Sequence, residues 1–306
     1  MSKPYPRVSI GLPVFNGQRF LNEALDSLLT QTFQDFELVI SDNASTDGTE
    51  EMCHAYASKD SRIRYYRNTS NVGAARNFNR VFQLSTAKYF KWANADDVCE
   101  PEHLARCAAI LDRDPSVVLA YPKARFIDED GRVLDVHDSG WNLQSDSAHE
   151  RLRYALLARG WVNAIYGLMR AAALSRTRLI ASYPGGDYRV LNELALLGKI
   201  VELPDYFFLR RLHPGASSQN TMDLAWQVAH YTGSSAHLAM PTWQQALDDF
   251  TTIIRSHLPT HAKLSVLGSL LKRMRWSRGH LCAELTSASA YCFRYFVSAI
   301  SNELHP

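Results

Sequence analysis

Five short β-rich runs start at residues 8, 36, 63, 89 and 117, and this spacing of 26 to 28 residues limits the fold more than any single motif does. Neighbouring parallel strands need a long crossover, normally a helix, so the period predicts strand–helix–strand units rather than hairpins. The runs span 8–12, 36–41, 63–67, 89–93 and 117–121. Between them Phe20, Leu21, Ala24, Leu25, Leu28 and Leu29 share one helical face, as do Leu104, Cys107, Ala108 and Leu111 behind Pro101, a favourable first-turn residue. An α/β fold with a mostly parallel sheet follows. Such sheets bind ligands beyond the carboxyl ends of their strands.

Those ends carry the polar residues. Pro13-Val14-Phe15-Asn16-Gly17 follows the first run, Asp42 to Thr49 the second, Asn71-Val72-Gly73 the third and Asn94-Ala95-Asp96-Asp97 the fourth. Taken singly, each reads as an ordinary turn, with Asp47 and Asp97 capping or preceding helices. Taken together, four loops on one edge with carboxylates after the second and fourth strands point to a nucleotide site. The first loop lacks the Gly-Xaa-Gly-Xaa-Xaa-Gly pattern that brings backbone amides against a pyrophosphate, and no Gly-Lys-Ser/Thr element is present. A diphosphate must then be neutralised otherwise, and Asp96 and Asp97 offer the oxygen ligands that Mg2+ or Mn2+ prefer.

These segments, in this order and spacing, resemble family 2 glycosyltransferases of the GT-A fold. The resemblance is strongest over residues 7–125, carried by Val8 to Asn16, Asp42 to Thr49, Asn71 to Asn77 and Asn94 to Asp97. It continues more loosely through Gly186-Asp187-Tyr188 to Arg211-Leu212-His213-Pro214-Gly215. It implies a Rossmann-like sheet flanked by helices, with Pro13, Val14, Phe15, Asn16, Asp42, Asn43 and Arg76 around the base and ribose of a nucleotide sugar. Asn94 and Asp96 are implied near the ribose, Asp96, Asp97 and His213 on Mn2+ or Mg2+, and Arg211 on the diphosphate. Asp187 is implied as the base that takes the proton from the acceptor hydroxyl in an inverting transfer; ahead of the helical stretch 190–197 it reads equally as a helix cap. Asp205, expected in a turn between two strands, is the reserve candidate. Three positions depart from the family pattern: Asn94 and Asn43 stand where an Asp is frequent, and Gly186 where a Glu precedes the base. Trp161, Asn163 and Tyr166 read either as lining an acceptor pocket or as core.

The whole-chain charge of +2 hides a segregation, because residues 250–306 hold seven basic and two acidic residues. No acid occurs from Phe250 to Ala283, while Arg255, Lys263, Lys272, Arg273, Arg275 and Arg278 are all present. Leu264, Leu267, Leu270, Leu271 and Met274 recur there at helical spacing before Trp276. A basic amphipathic helix of this kind suits either peripheral contact of 250–283 with an anionic membrane or packing on the domain with its basic face in water. The near-balanced whole argues against a nucleic-acid partner. Five cysteines without a Cys-Xaa-Xaa-Cys pair, no run of 18 apolar residues and no signal-peptide core lead us to expect a reduced, cytoplasmic chain, at the inner face of the membrane if the tail meets lipid.

The expected organisation is a nucleotide-sugar-binding half over 1–122, an acceptor-binding and catalytic half over 123–220 and a helical basic extension over 221–306. The expected activity is transfer of a sugar from a UDP-sugar to a hydroxyl of a glycan or lipid-linked saccharide. The alternatives are a nucleotide-sugar-binding module without catalysis and a nucleotidyltransferase, whose Gly-rich basic first loop is missing here.

Overall fold

The computed structural model describes residues 5–137, 140–158, 160, 163–216, 224–234 and 240–289. Among these residues one sheet holds nine strands: β1 Val8–Val14, β2 Phe36–Asp42, β3 Ile63–Arg67, β4 Tyr89–Trp92, β5 Val98–Cys99, β6 Val117–Ile127, β7 Val133–His137, β8 Leu168–Arg170 and β9 Lys199–Arg211. Their order is β3-β2-β1-β4-β8-β6-β9-β5, with β7 paired to β6. β1 lies parallel to β2 and β4, β2 to β3, and β6 to β9. The short β8 is antiparallel to both β4 and β6, so the direction is restored across it. All five strands expected from the sequence therefore point the same way, although β5, β7 and β8 make the sheet mixed.

The helices are α1 Leu21–Leu29, α2 Thr49–Lys59, α3 Ala74–Gln83, α4 His103–Arg113, α5 Ala148–Leu157, α6 Ala171–Leu174, α7 Asp187–Leu197, α8 Leu224–Thr232, α9 Pro241–Arg255 and α10 Thr260–Trp276. Side-chain alternation along the strands splits the core in two. Leu38 and Ile40 of β2 join Leu21, Leu25, Leu104 and Cys107 from α1 and α4 on one face. Val39, Phe90 and Trp92 meet Val81 of α3 and Val190 and Leu194 of α7 on the other. With both faces covered, β1 and β2 are buried at all seven positions each, so successive residues such as Leu38, Val39 and Ile40 are all apolar, and the buried polar pair Ser9 and Glu37 bond each other at 2.6 Å.

Two expectations change. β6 runs through residue 122 without a break to Ile127, with its register against β9 shifting around Pro122 and Lys123. Asp205 lies inside the 13-residue β9 rather than in a turn, and its carboxylate meets Arg106 of α4 at 3.2 Å.

The C-terminal helices pack against α5 and α7, burying Leu152, Leu156, Ile253, Val266 and Leu270 together. Polar contacts fix them further: Arg178 pairs with Glu193 at 2.5 Å and Asp248 at 2.8 Å, and Asp249 accepts from Asn192 at 2.7 Å and from Arg273 at 2.6 Å. Arg273 is therefore an internal ion-pair partner and not part of the basic face. Cys53, Cys99, Cys107 and Cys282 are free thiols, and Cys292 lies outside the described residues.

Candidate functional site

The loops after β1 and β2 are stitched to each other. Asn16, at a φ of 51°, donates its amide to Ser45 Oγ at 2.9 Å and accepts the Thr46 amide at 2.8 Å. Asn tolerates that left-handed backbone better than most residues because its short polar side chain bonds locally. Gly17 N donates to Thr49 Oγ1 at 2.9 Å and Gln18 N to Asp47 Oδ2 at 3.1 Å. Pro13 and Val14 are buried, so Val14 contributes chiefly its backbone carbonyl, which accepts from Asn43 N at 2.8 Å. Phe15 stands 46% exposed on this bed, and Arg76 is exposed on the first turn of α3.

Asp42 is fully buried, and its carboxylate is already engaged by Arg67 at 2.6 Å, Tyr65 Oη at 2.9 Å and Ser45 N at 2.8 Å. It anchors the bed rather than presenting a vacant acceptor to a base. Asn43 explains its own departure from Asp: its Oδ1 accepts from Asn68 and Val72 while its Nδ2 donates to Asn71 at 2.8 Å. A carboxylate could not make that donation. The loop it holds ends at Gly73, with a φ of 85°, where a Cβ would sit 2.4 Å from the Thr232 carbonyl carbon, so α8 closes directly over it.

Asp96 and His213 face each other, with Nε2 3.0 Å from Oδ2, and the imidazole lies against the Phe20 ring at 4.9 Å. Asp97 is buried; its Oδ1 accepts from Arg211 N at 2.9 Å and its Oδ2 from Asn94 Nδ2 at 2.7 Å. Burial first and the Asp96 charge second push the Asp97 carboxyl up to about 7, against the nearby Arg210 charge. Asn94 is thereby explained: an acid there would set a third carboxylate against a buried one, whereas the amide donates to it.

Arg211 is not placed as the sequence implied. Its side chain is 1% exposed, and its nitrogens bind the carbonyls of Asp96, Asp128 and Glu129 and the carboxylate of Glu23 at 2.5 Å. That guanidinium closes the end of β9 onto α1 and has its donors committed within the chain. Arg211→Met is accordingly expected to lower unfolding free energy by about 3 kcal/mol, because several buried acceptors lose their donor, while nucleotide affinity per folded molecule changes by less than about threefold. Denaturant unfolding and nucleotide titration on the same sample check this, and a large affinity loss with unchanged stability would return Arg211 to the diphosphate.

The cation that does face the carboxylates is Arg210, which the sequence reading passed over. It donates to Asn163 Oδ1 at 2.9 Å and lies 6.0 Å from the Tyr166 ring centre. The Tyr166 hydroxyl bonds Asn94 and feels the charges of Arg210, Asp97 and Asp187, although burial is what chiefly raises its pKa. Lys91 of β4 supports this corner from below, donating to the Tyr166 carbonyl at 2.5 Å and the Trp92 carbonyl at 3.2 Å. Asn163 is 3% exposed in the one-turn helix Asn163–Tyr166; Trp161 lies outside the described residues.

Asp187 is the first residue of α7, with Gly186 at the cap position, and its Oδ1 accepts the Tyr188 amide at 3.1 Å. Gly186 departs from Glu for a steric reason, since a Cβ there would lie 2.1 Å from Ala181 O. Asp205 pairs with α4, on the face of the sheet opposite α7, and so does not join this group. The structure thus gathers Asn94, Asp96, Asp97, Asn163, Tyr166, Arg210 and His213 at one edge, with the Asp187 charge reaching the same tyrosine. No three His, Cys, Asp or Glu side chains are grouped to hold a metal among the described residues.

An uncharacterized glycosyltransferase of Haemophilus influenzae is 24% identical over 218 residues, covering 70% of this chain and 68% of that one. Another, from Methanocaldococcus jannaschii, is 29% identical over 131 residues, 42% of this chain but only 45% of its own length. Among solved structures, S. aureus TarS 1-349 in complex with UDP-GlcNAc superposes with a TM-score of 0.67 at 20% identity, covering 88% of this chain and 72% of that one. The mannosyltransferase PcManGT from Pyrobaculum calidifontis, in complex with GDP-Man and Mn2+, gives 0.58 at 16% identity, covering 99% and 82%. The fold is that of the GT-A glycosyltransferases. The family model described as glycosyl transferase family 2 matches residues 9–178, more than half of the chain, and the protein is therefore a glycosyltransferase belonging to that family.

Proposed function

We propose that the protein moves a sugar from a nucleoside diphosphate sugar, UDP-linked, to a hydroxyl of a glycan or lipid-linked saccharide, with inversion at the anomeric carbon. The observation that carries this is the Asp96–His213 pair at 3.0 Å beside the stitched bed of the β1 and β2 loops. The likeness of the fold to TarS, whose complex holds UDP-GlcNAc, supports the choice of donor. Phe15 and Arg76 flank the base, and Asp42, Asn43 and Asn16 keep the loops in place beneath it.

Asp96 and His213 supply two ligands for Mn2+ or Mg2+, and Asp97 adds negative charge behind them. Two protein ligands suit a hard cation that completes its shell with diphosphate oxygens and water. When bound, such an ion neutralises charge on the departing diphosphate. Arg210, held by Asn163, adds a second positive charge at this edge, and Asn163 and Tyr166 border the acceptor. Asp187 accepts the proton of the attacking hydroxyl.

Thermal unfolding in the presence of UDP-, GDP- and dTDP-sugars, with and without Mn2+, tests the reading. A UDP-sugar with Mn2+, at about a hundredfold excess over Kd, is expected to raise Tm by about 5 °C, with a smaller rise when EDTA replaces the metal. No rise with any nucleotide sugar, together with no sugar release on prolonged incubation, would sink the proposal.

A further inference from the structure

We propose that the outer face of the α9–α10 hairpin docks on an anionic lipid bilayer. α9 runs antiparallel to α10 and the helical residues 278–289: Lys263 Nζ donates to Ile254 O at 2.8 Å, Arg273 meets Asp249 at 2.6 Å, and Trp243 Nε1 donates to Leu281 O at 3.1 Å. The side turned away from α5 and α7 leaves large apolar groups in water. Leu247 is 62% exposed, Phe250 48%, Ile254 46%, Leu264 64% and Leu271 66%. The first three recur at i, i+3 and i+7 on α9, which makes one stripe along that helix. Leu264, Leu271 and Leu285 differ by multiples of seven and make a second. Leu247 and Leu285 line one apolar groove with Met240, Trp243 and Gln244, so the stripes meet.

Charge decides what covers them. Residues 240–289 contain three acids, and all three turn inward. Asp248 binds Arg178 and Tyr183, Asp249 binds Arg273, and Glu284 accepts the amides of Thr242 and Trp243. Arg255, Lys272, Arg275 and Arg278 are exposed. The apolar stripes are thus rimmed by cations with no surface carboxylate among them. A second copy of the chain would bring like charges together. An anionic bilayer accommodates both features, with apolar side chains entering the headgroup boundary and guanidinium and ammonium groups meeting lipid phosphates. Because Arg178 and Asn192 fix the hairpin to α7, such docking would also set the orientation of the candidate site toward the membrane.

This contact goes beyond the proposed transfer reaction, and its test does not depend on it. The full chain is sedimented with vesicles of phosphatidylglycerol and phosphatidylcholine in equal parts, and with pure phosphatidylcholine, at low salt and at about 0.5 M salt. Binding to the anionic vesicles is expected at low salt, weaker by about tenfold or more on neutral vesicles and at high salt. Arg275→Glu with Arg278→Glu, and separately Leu247→Glu with Phe250→Glu, should each reduce binding by about tenfold or more with unfolding temperatures near the parent's. Absence of binding to anionic vesicles, equal binding to neutral ones, or full binding by both folded variants would overturn the proposal. So would a dimer dispersed by Leu247→Glu with Phe250→Glu in a protein that ignores vesicles, since the face would then belong to a second copy.

Discussion

Asp97→Asn is expected to abolish sugar transfer and at the same time to make the ligand-free protein more stable at pH 8. The carboxylate is buried, and burial together with Asp96 raises its pKa to about 7. An acid that holds its proton more tightly in the folded chain than in the unfolded one contributes stability at low pH. That contribution is lost as pH rises from about 4, where the unfolded side chain ionises, to about 7, so above pH 7 the ionised carboxylate costs on the order of 2–4 kcal/mol. Asparagine can still accept from Arg211 N through its carbonyl, and its Nδ2 can donate to Asn94 once that amide turns to present Oδ1 in place of Nδ2. What it cannot supply is the negative charge beside Asp96 that a divalent cation needs. Thermal unfolding in EDTA between pH 5 and 8 should show the parent losing stability as pH rises and the variant changing little. Transfer by the variant should fall at least about a hundredfold, and Mn2+ should no longer strengthen nucleotide binding. A variant that is both active and less stable at pH 8 would contradict the assignment.

The first half of this fold is readable because its signals are local. β1 to β4 and β6 begin at the residues the spacing picked out, and the loops that follow β1 to β4 carry the polar residues that stitch the edge together. β8 was not readable: Leu168–Arg170 is three residues long and takes its place between β4 and β6 only through tertiary pairing. The choice between Arg210 and Arg211 failed for a different reason. Buried positions on β9 are Ile200, Leu203, Phe208 and Arg211, spaced three, five and three residues apart, and the pairing with β6 shifts register between Leu203 and Phe208, at Pro122 and Lys123. Alternation by two, which would have separated inward from outward residues, does not hold on such a strand. The departures at Asn43, Asn94 and Gly186 were visible in the sequence, but their causes were not. The first depends on neighbours distant in the chain, Asn68 and Asn71, the second on the burial of Asp97, which only the folded sheet sets, and the third on the close approach of the Ala181 carbonyl.

Asp187→Asn is the complementary experiment, because it should separate chemistry from binding. The backbone around this residue is held on both sides: Ala181 N donates to Gly186 O at 3.2 Å, Gly186 N to Tyr183 O at 2.9 Å, and the space where a Gly186 side chain would lie is filled by Ala181. The carboxylate therefore has little freedom to relocate, and an isosteric amide should occupy the same place and accept the Tyr188 amide as Asp187 does. An amide has no useful basicity, so the acceptor hydroxyl would have to attack with its proton still attached. Loss of a positioned general base costs about 10²- to 10⁴-fold, and kcat should fall by that amount. The donor, by contrast, is proposed to rest on the β1 and β2 loops and the Asp96–His213 pair, none of which this substitution touches. UDP-sugar affinity with Mn2+ should stay within about twofold, and the unfolding temperature should barely move. Near-normal turnover would remove Asp187 as the base, whereas a matched loss of donor binding would make it part of the donor site instead. Only the combination of lost turnover and retained binding supports a proton acceptor at the start of α7.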